Sequence, residues 1–361
     1  MLSRIKALRQ NLILNGLDAI LTGHAPNRRY ISGFTGSDGW IIVTAERALL
    51  MVDFRYVEQA RLEAPQFEAC YIKNDITEWL PAYILELGIE RIGIEAEYMP
   101  VAQYQLINGT LREKVSSAEI VQTKNIIESL RLYKDSTELQ YITKACEIAD
   151  MAINYTASHL KAGITERQFA WELESFIRQN GSENMPFEII LASGPNAALP
   201  HASPEDRIIA EGEPVVIDIG ARYHGYCSDL TRTFIISKEE NNFNKIYNII
   251  LSAHEAGLEL IKPDMKASAA DGLVRSMITH AGYGENFGHG LGHGVGIEVH
   301  ELPRLGIKGD DILHEGMVFT IEPGIYISGW GGVRIEDTVT IKNGKIICLT
   351  KSNKNALIAG G

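Results

Sequence analysis

The chain has 361 residues, 45% hydrophobic and 22% charged, and its 34 basic against 46 acidic residues give a formal charge of −12. That length and apolar content suffice for two or three cored domains, while the acidic balance argues against a nucleic-acid surface, which needs clustered positive charge. No apolar run approaches the ~20 residues needed to span a bilayer. The amphipathic opening M-L-S-R-I-K-A-L-R-Q-N does not read as a signal peptide. Four scattered cysteines (Cys70, Cys146, Cys227, Cys348) without a C-x-x-C pair read as reduced thiols of a cytoplasmic protein.

Residues 1–122 alternate short β runs with helical patterns, which predicts an α/β domain with a central sheet. Strands are expected at Ala19–Leu21, Trp40–Val43, Ala48–Val52, Ala69–Ile72, Arg91–Ile94 and Glu119–Val121, and helices at Leu2–Asn15, Tyr56–Glu63, Ile76–Leu87 and Val101–Leu111. The stretch G-F-T-G-S-D-G, Gly33 to Gly39, precedes a strand and lacks the G-K-[ST] ending of a phosphate loop, so it reads as a plain loop. Asp53, Arg55 and Tyr56 suit either a functional role or a strand-ending turn.

Residues 123–361 follow a different pattern. Leu139, Ile142, Cys146, Ala149, Ile153 and Leu160 keep helical spacing behind a capping pair, Asp135 and Glu138. A second helix opens on the capping box T-E-R-Q, Thr165 to Gln168, and stops at Asn180-Gly181, before a β-rich region to about Ile236. The order then recurs: helices over Glu239–Ile261 and Ala267–His280, then β structure through Leu349. Two helices followed by strands, twice over, predicts two halves packed around one shared core.

The stretch H-G-L-G-H-G-V-G-I-E-V-H-E, His289 to Glu301, holds three histidines and four alternating glycines. Each interior glycine costs a helix about 1 kcal/mol relative to alanine. Glycine at every second position lets the backbone lie close to a neighbour while histidines project from it. Two hairpins carry paired acids. A turn centred between Tyr223 and His224 sets Asp218 opposite Asp229, and a turn centred on Gly329 sets Glu322 opposite Glu336. Acids are rarely buried in apolar strands without a partner. Four carboxylates and a neutral histidine balance two divalent cations.

These motifs resemble those of the pita-bread metallopeptidases specific for proline, the Xaa-Pro aminopeptidases and Xaa-Pro dipeptidases (prolidases). D-I-G-A, Y-C-S-D-L-T-R-T, F-T-I-E-P-G-I-Y and G-G-V-R-I-E-D match together with the histidine stretch. The resemblance implies a creatinase-like N-terminal α/β domain, for dimerisation or substrate access, ahead of an α+β pita-bread catalytic domain with a pseudo-twofold internal repeat. It implies that Asp218 binds one ion, that Asp229 and Glu336 bridge two, and that His293 and Glu322 complete the second. It further implies that His201, His289 and His300 surround the scissile bond. Read without the family, His201 is an incidental loop histidine.

An N-terminal domain of this size, and Arg334 two residues before Glu336, argue against the methionine aminopeptidases. Arg334 shares a strand face with Glu336. It can orient the glutamate, hold an anionic group, or pair with a neighbouring acid. Cys227, two residues from Asp229, suits a packed thiol or a soft donor beside the site. The activity so implied is hydrolysis of the X–Pro bond at the N-terminus of short peptides, with two divalent ions activating water and Glu322 shuttling a proton. Manganese comes first among the metals, with cobalt and zinc as alternatives. G-F-T-G-S and G-G-V-R-I-E-D favour the aminopeptidase branch, with the dipeptidase as the alternative and a non-catalytic binding module more remote. A homodimer is also implied.

Overall fold

The computed structural model describes residues 1–237, 241–355 and 357–359. Met1–Arg131 forms one compact unit. Its strands are β1 (Ala19–Thr22), β2 (Trp40–Thr44), β3 (Ala48–Val52), β4 (Glu68–Tyr71), β5 (Arg91–Glu95) and β6 (Glu119–Thr123), in the spatial order β4-β3-β2-β1-β5-β6. Its helices are α1 (Leu2–Leu14), α2 (Ala25–Ser32), α3 (Val57–Glu63), α4 (Ile76–Glu86), α5 (Val101–Lys114) and α6 (Glu128–Arg131). All six expected strands are present. Helix α2 was not expected: Pro26 opens it and Gly33 ends it at φ 84°. Buried Arg28 on α2 donates to the carbonyls of Gly36 (2.7 Å) and Gly39 (2.8 Å), so the glycine stretch turns carbonyls inward around a cation, as a loop. Arg55 closes on Asp53 at 2.5 Å, the strand-ending turn. The unit runs past residue 122 because Asn11 donates to the Ile126 carbonyl (2.9 Å) and Arg131 to Asn27 (2.7 Å).

The second unit starts at Leu132. Helices α7 (Ser136–His159) and α8 (Glu166–Gln179) precede β7 (Ile190–Ser193), β8 (Pro214–Ile219), β9 (Arg222–Tyr223), β10 (Tyr226–Cys227) and β11 (Leu230–Ile236). Helices α9 (Asn241–Leu260) and α10 (Ala267–His280) precede β12 (Gly292–Gly294), β13 (Glu301–Leu305), β14 (Val318–Ile321), β15 (Gly324–Ile327), β16 (Gly331–Arg334), β17 (Asp337–Lys342), β18 (Lys345–Cys348) and β19 (Leu357–Ala359). This is the expected repeat. Both capping boxes, at Asp135 and Thr165, are formed. The expected start of the third helix, Glu239, lies outside the described residues.

The shared core is not what forms. Buried apolar residues make two clusters, one around Phe169, Leu191, Ile217 and Phe234, the other around Tyr247, Val274, Phe319 and Ile335. Between them the seam is polar: Thr233 accepts from the Arg334 amide (3.0 Å) and donates to its carbonyl (2.9 Å), and the Thr231 hydroxyl donates to Glu336 (2.6 Å). Each half buries its own apolar face, and the paired acids of the two hairpins occupy the junction. No described residue forms a disulfide, and no helix among them is long and apolar enough to cross a membrane.

Candidate metal centre

The first hairpin forms in a different register from the expected one. Tyr223 pairs with Tyr226 and Asp218 with Thr231, so Asp218 does not directly oppose Asp229. The cause is the turn. His224 and Gly225 both have positive φ (46° and 78°), the signature of a two-residue type I′ turn centred one residue-step later. Asp229 leaves the ladder, and its amide and carbonyl both bond the Thr338 hydroxyl, at 3.2 and 2.7 Å. It still shares a strand face with Thr231, two residues on, and therefore with Asp218.

The second hairpin keeps the expected register. Ile321 pairs with Asp337 on one side of the acids, and Gly324 with Arg334 on the other. At Glu322 and Glu336 the ladder changes sheets. The Glu322 amide bonds the Leu291 carbonyl (2.8 Å) and the Glu336 amide the Thr231 carbonyl (3.1 Å).

The histidine stretch lies against this hairpin as its glycines require. A Cβ on Gly292 would sit 2.0 Å from the Thr320 carbonyl oxygen, and one on Gly294 2.0 Å from that of Leu302. Helix α10 anchors the stretch from outside: Arg275 donates to the His289 carbonyl (2.6 Å), and Asp271 accepts from the Leu291 amide (3.0 Å). Neither anchor was visible in the sequence.

A cavity of about 430 Å³ collects all of the expected residues: His201, Asp218, Asp229, His289, His293, His300, Glu322, Arg334 and Glu336. Donor atoms of Asp229, His293 and Glu336 lie within 4.8 Å of one another. Nε2 of His293 stands 3.5 Å from Asp229 and 3.4 Å from Glu322, while its Nδ1 donates to the Gly294 carbonyl at 3.1 Å. Burial pushes this imidazole down to about 4, so at neutral pH it is uncharged and Nε2 carries a lone pair. A lone pair facing two carboxylates is repulsive unless a cation stands between them. Asp218 Oδ1 and Asp229 Oδ1 are buried and accept no hydrogen bond. Burial, followed by the neighbouring acids, raises Asp229 and Glu336 well above the usual carboxylate range, and burial likewise raises Glu322. These residues therefore fit divalent cations. A second grouping, His24, Glu95 and Glu128 in the N-terminal unit, is as close. There the Asn27 amide already sits 2.5 Å from both carboxylates.

Arg334 is buried and bonds Asp218 (2.6 Å), the Tyr326 hydroxyl (2.9 Å), the Thr231 hydroxyl (3.0 Å) and the Pro200 carbonyl (3.2 Å). Of the three expected roles, pairing with a neighbouring acid is the one seen. Tyr326, which the sequence reading did not single out, donates to His289 Nε2 (2.9 Å) and so links that histidine to Arg334. Burial, then the Arg334 charge, pulls His289 down to about 4. Cys227 is a packed thiol whose Sγ lies 3.4 Å from the Ile297 carbonyl. Buried Glu166 holds the loop bearing His201, accepting from the Ser193 amide (2.7 Å) and the Glu205 amide (3.1 Å). A second cavity of about 370 Å³ shares Gly290, Gly292, His293 and His300 and extends to Arg304.

The family model described as metallopeptidase family M24 matches residues 140–343, and that of the creatinase/prolidase N-terminal domain matches residues 4–133. The chain is 39% identical to a Xaa-Pro dipeptidase of Pyrococcus horikoshii, over 98% of each chain. It is similar in structure to a Xaa-Pro dipeptidase from Bacillus anthracis (TM-score 0.95, 39% identity, 99% of each chain). It is also similar to an X-Pro aminopeptidase from Thermotoga maritima (TM-score 0.90, 34% identity, 98% of this chain and 99% of that one).

Proposed function

Because the chain belongs to metallopeptidase family M24, we propose that it hydrolyses X–Pro dipeptides at a centre of two divalent cations. The observation that carries this is the uncharged His293 Nε2 facing the carboxylates of Asp229 and Glu322. In this reading Asp218, Asp229, His293, Glu322 and Glu336 hold the cations. Oxygen-rich donors with one imidazole suit manganese, and cobalt or zinc after it. When bound, the cations supply Lewis acidity that lowers the pKa of water.

The protein's own groups do the rest. Glu322, in the cavity 3.4 Å from His293 Nε2, is the carboxylate that takes a proton from the attacking water and returns it to the proline nitrogen. His300 is held below its ordinary value by burial, so its neutral ring offers an N–H to the tetrahedral oxygen, and His201 lines the same cavity. Arg334 fixes Asp218 and, through Tyr326, His289.

The dipeptidase reading replaces the aminopeptidase one favoured by the sequence motifs. Two of the three relatives described above are dipeptidases by name. Arg304, which lines the second cavity together with His293 and His300, is a cation suited to the free carboxylate of a C-terminal proline. The Thermotoga maritima relative supports the aminopeptidase as a second reading. The test compares Ala-Pro with Ala-Pro-Ala on manganese-loaded protein: a dipeptidase cuts only the first, and equal cleavage of both favours the second reading. Full activity in excess chelator would refute the metal centre.

A further inference from the structure

Four of the carboxylates lining the large cavity, Asp218, Asp229, Glu322 and Glu336, belong to the centre around His293. A fifth, Glu188, does not. Across the ladder Ile190 pairs with Asp218, so its side chain lies on the site's face, whereas Ile189 and Leu191 pack into the core beneath α7 and α8. Glu188, two residues before β7, lines the same cavity as Ile190. It is exposed there, and no hydrogen bond or ion pair engages it among the described residues. The wall beside it includes apolar Phe187, Ile190 and Ala202.

A partly apolar wall ending in an unengaged carboxylate suits a long basic side chain, which packs its methylene stem against apolar surface and keeps its charge in water. We propose that Glu188 selects substrates with lysine or arginine before the proline. This rests on the X–Pro peptidase reading and adds the class of X. At about 4 Å in a water-like medium a unit charge pair favours the cation by about fivefold, and a like charge is disfavoured similarly. The interaction is exposed, so salt screens it.

The test measures kcat/KM of the manganese-loaded protein on Lys-Pro, on norleucyl-proline, which has a similar stem without the charge, and on Glu-Pro. Wild type should favour Lys-Pro over norleucyl-proline by about fivefold at low salt, with less preference at high salt. Glu188→Gln should abolish that ratio, and Glu188→Lys should shift preference toward Glu-Pro. A ratio unmoved by either substitution overturns the proposal. So does an equal fall on all three substrates, which would assign Glu188 to the amino group they share. Wild type that cuts no X–Pro dipeptide overturns the peptidase reading and this inference with it, whereas cleavage without charge preference overturns this inference alone.

Discussion

Replacing Arg334 by methionine keeps much of the stem and removes the cation from Asp218. Arg334 is 3% exposed and Asp218 9%, so the pair is largely withdrawn from bulk water. Removing one partner of a buried ion pair costs about 3–5 kcal/mol. A cation bound at Asp218 offsets part of that, so the lower figure applies to metal-saturated protein. If the loss falls on the transition state, about 3 kcal/mol corresponds to roughly a hundredfold in kcat/KM. Lysine restores a point charge but not the fork that also reaches Tyr326, Thr231 and Pro200, so Arg334→Lys should recover only part of the activity. The assay is steady-state hydrolysis of Leu-Pro beside elemental analysis of bound metal and a circular dichroism melt. A folded, fully metal-loaded Arg334→Met protein within threefold of wild type would show that the Arg334–Asp218 bond at 2.6 Å is incidental to turnover.

Asp229→Asn should lower turnover by at least two orders of magnitude and weaken manganese binding in calorimetry; unaltered affinity would remove Asp229 from the centre. Burial raises Glu95 from 4.5 to about 7. Its folded value exceeds its unfolded one, so stability is fully present below about 4.5 and is lost as pH rises through about 7, by about 3 kcal/mol in all. Hydrogen exchange of β1 and β5 should show that loss in wild type and not in Glu95→Gln; parallel pH profiles would contradict the assignment. Glu166→Gln turns an amide donor toward one of the two backbone amides that Glu166 bonds, costing about 1.5–3 kcal/mol. We expect a kcat roughly tenfold lower at unchanged metal content, because the loop carrying His201 loosens, and a normal kcat would confine Glu166 to structure.

What the sequence revealed was periodicity and chemistry of high contrast. The second hairpin's register was legible because glycines at and beside Gly329 leave little choice of turn. The first was misread because His224 does not announce itself as a positive-φ residue, although His-Gly at 224–225 is the available clue. Helix α2 was hidden by its polar, arginine-rich composition, since the face it buries mixes Asn27, Arg28 and Ser32 with Tyr30 and Ile31 and shows no apolar periodicity. Tyr326, Glu166, Asp271 and Arg275 were invisible for another reason. Each acts through a partner 8 to 39 positions away, and such pairings arise only once the chain is folded. The single core was expected from the repeat, but alternating threonines on β11 keep the two apolar faces apart.

The crossing point of the second hairpin bears on how this enzyme would age or evolve. Glu322 is suspended from the histidine stretch and Glu336 from β11, each by one backbone hydrogen bond. A small drift of one half against the other would move Asp218 and Asp229 away from His293, Glu322 and Glu336 before it disrupted either apolar cluster. Cation titration would therefore detect misalignment in variants that still melt normally, and selection for tight cation binding would preserve the fit between halves with no selection on heat resistance.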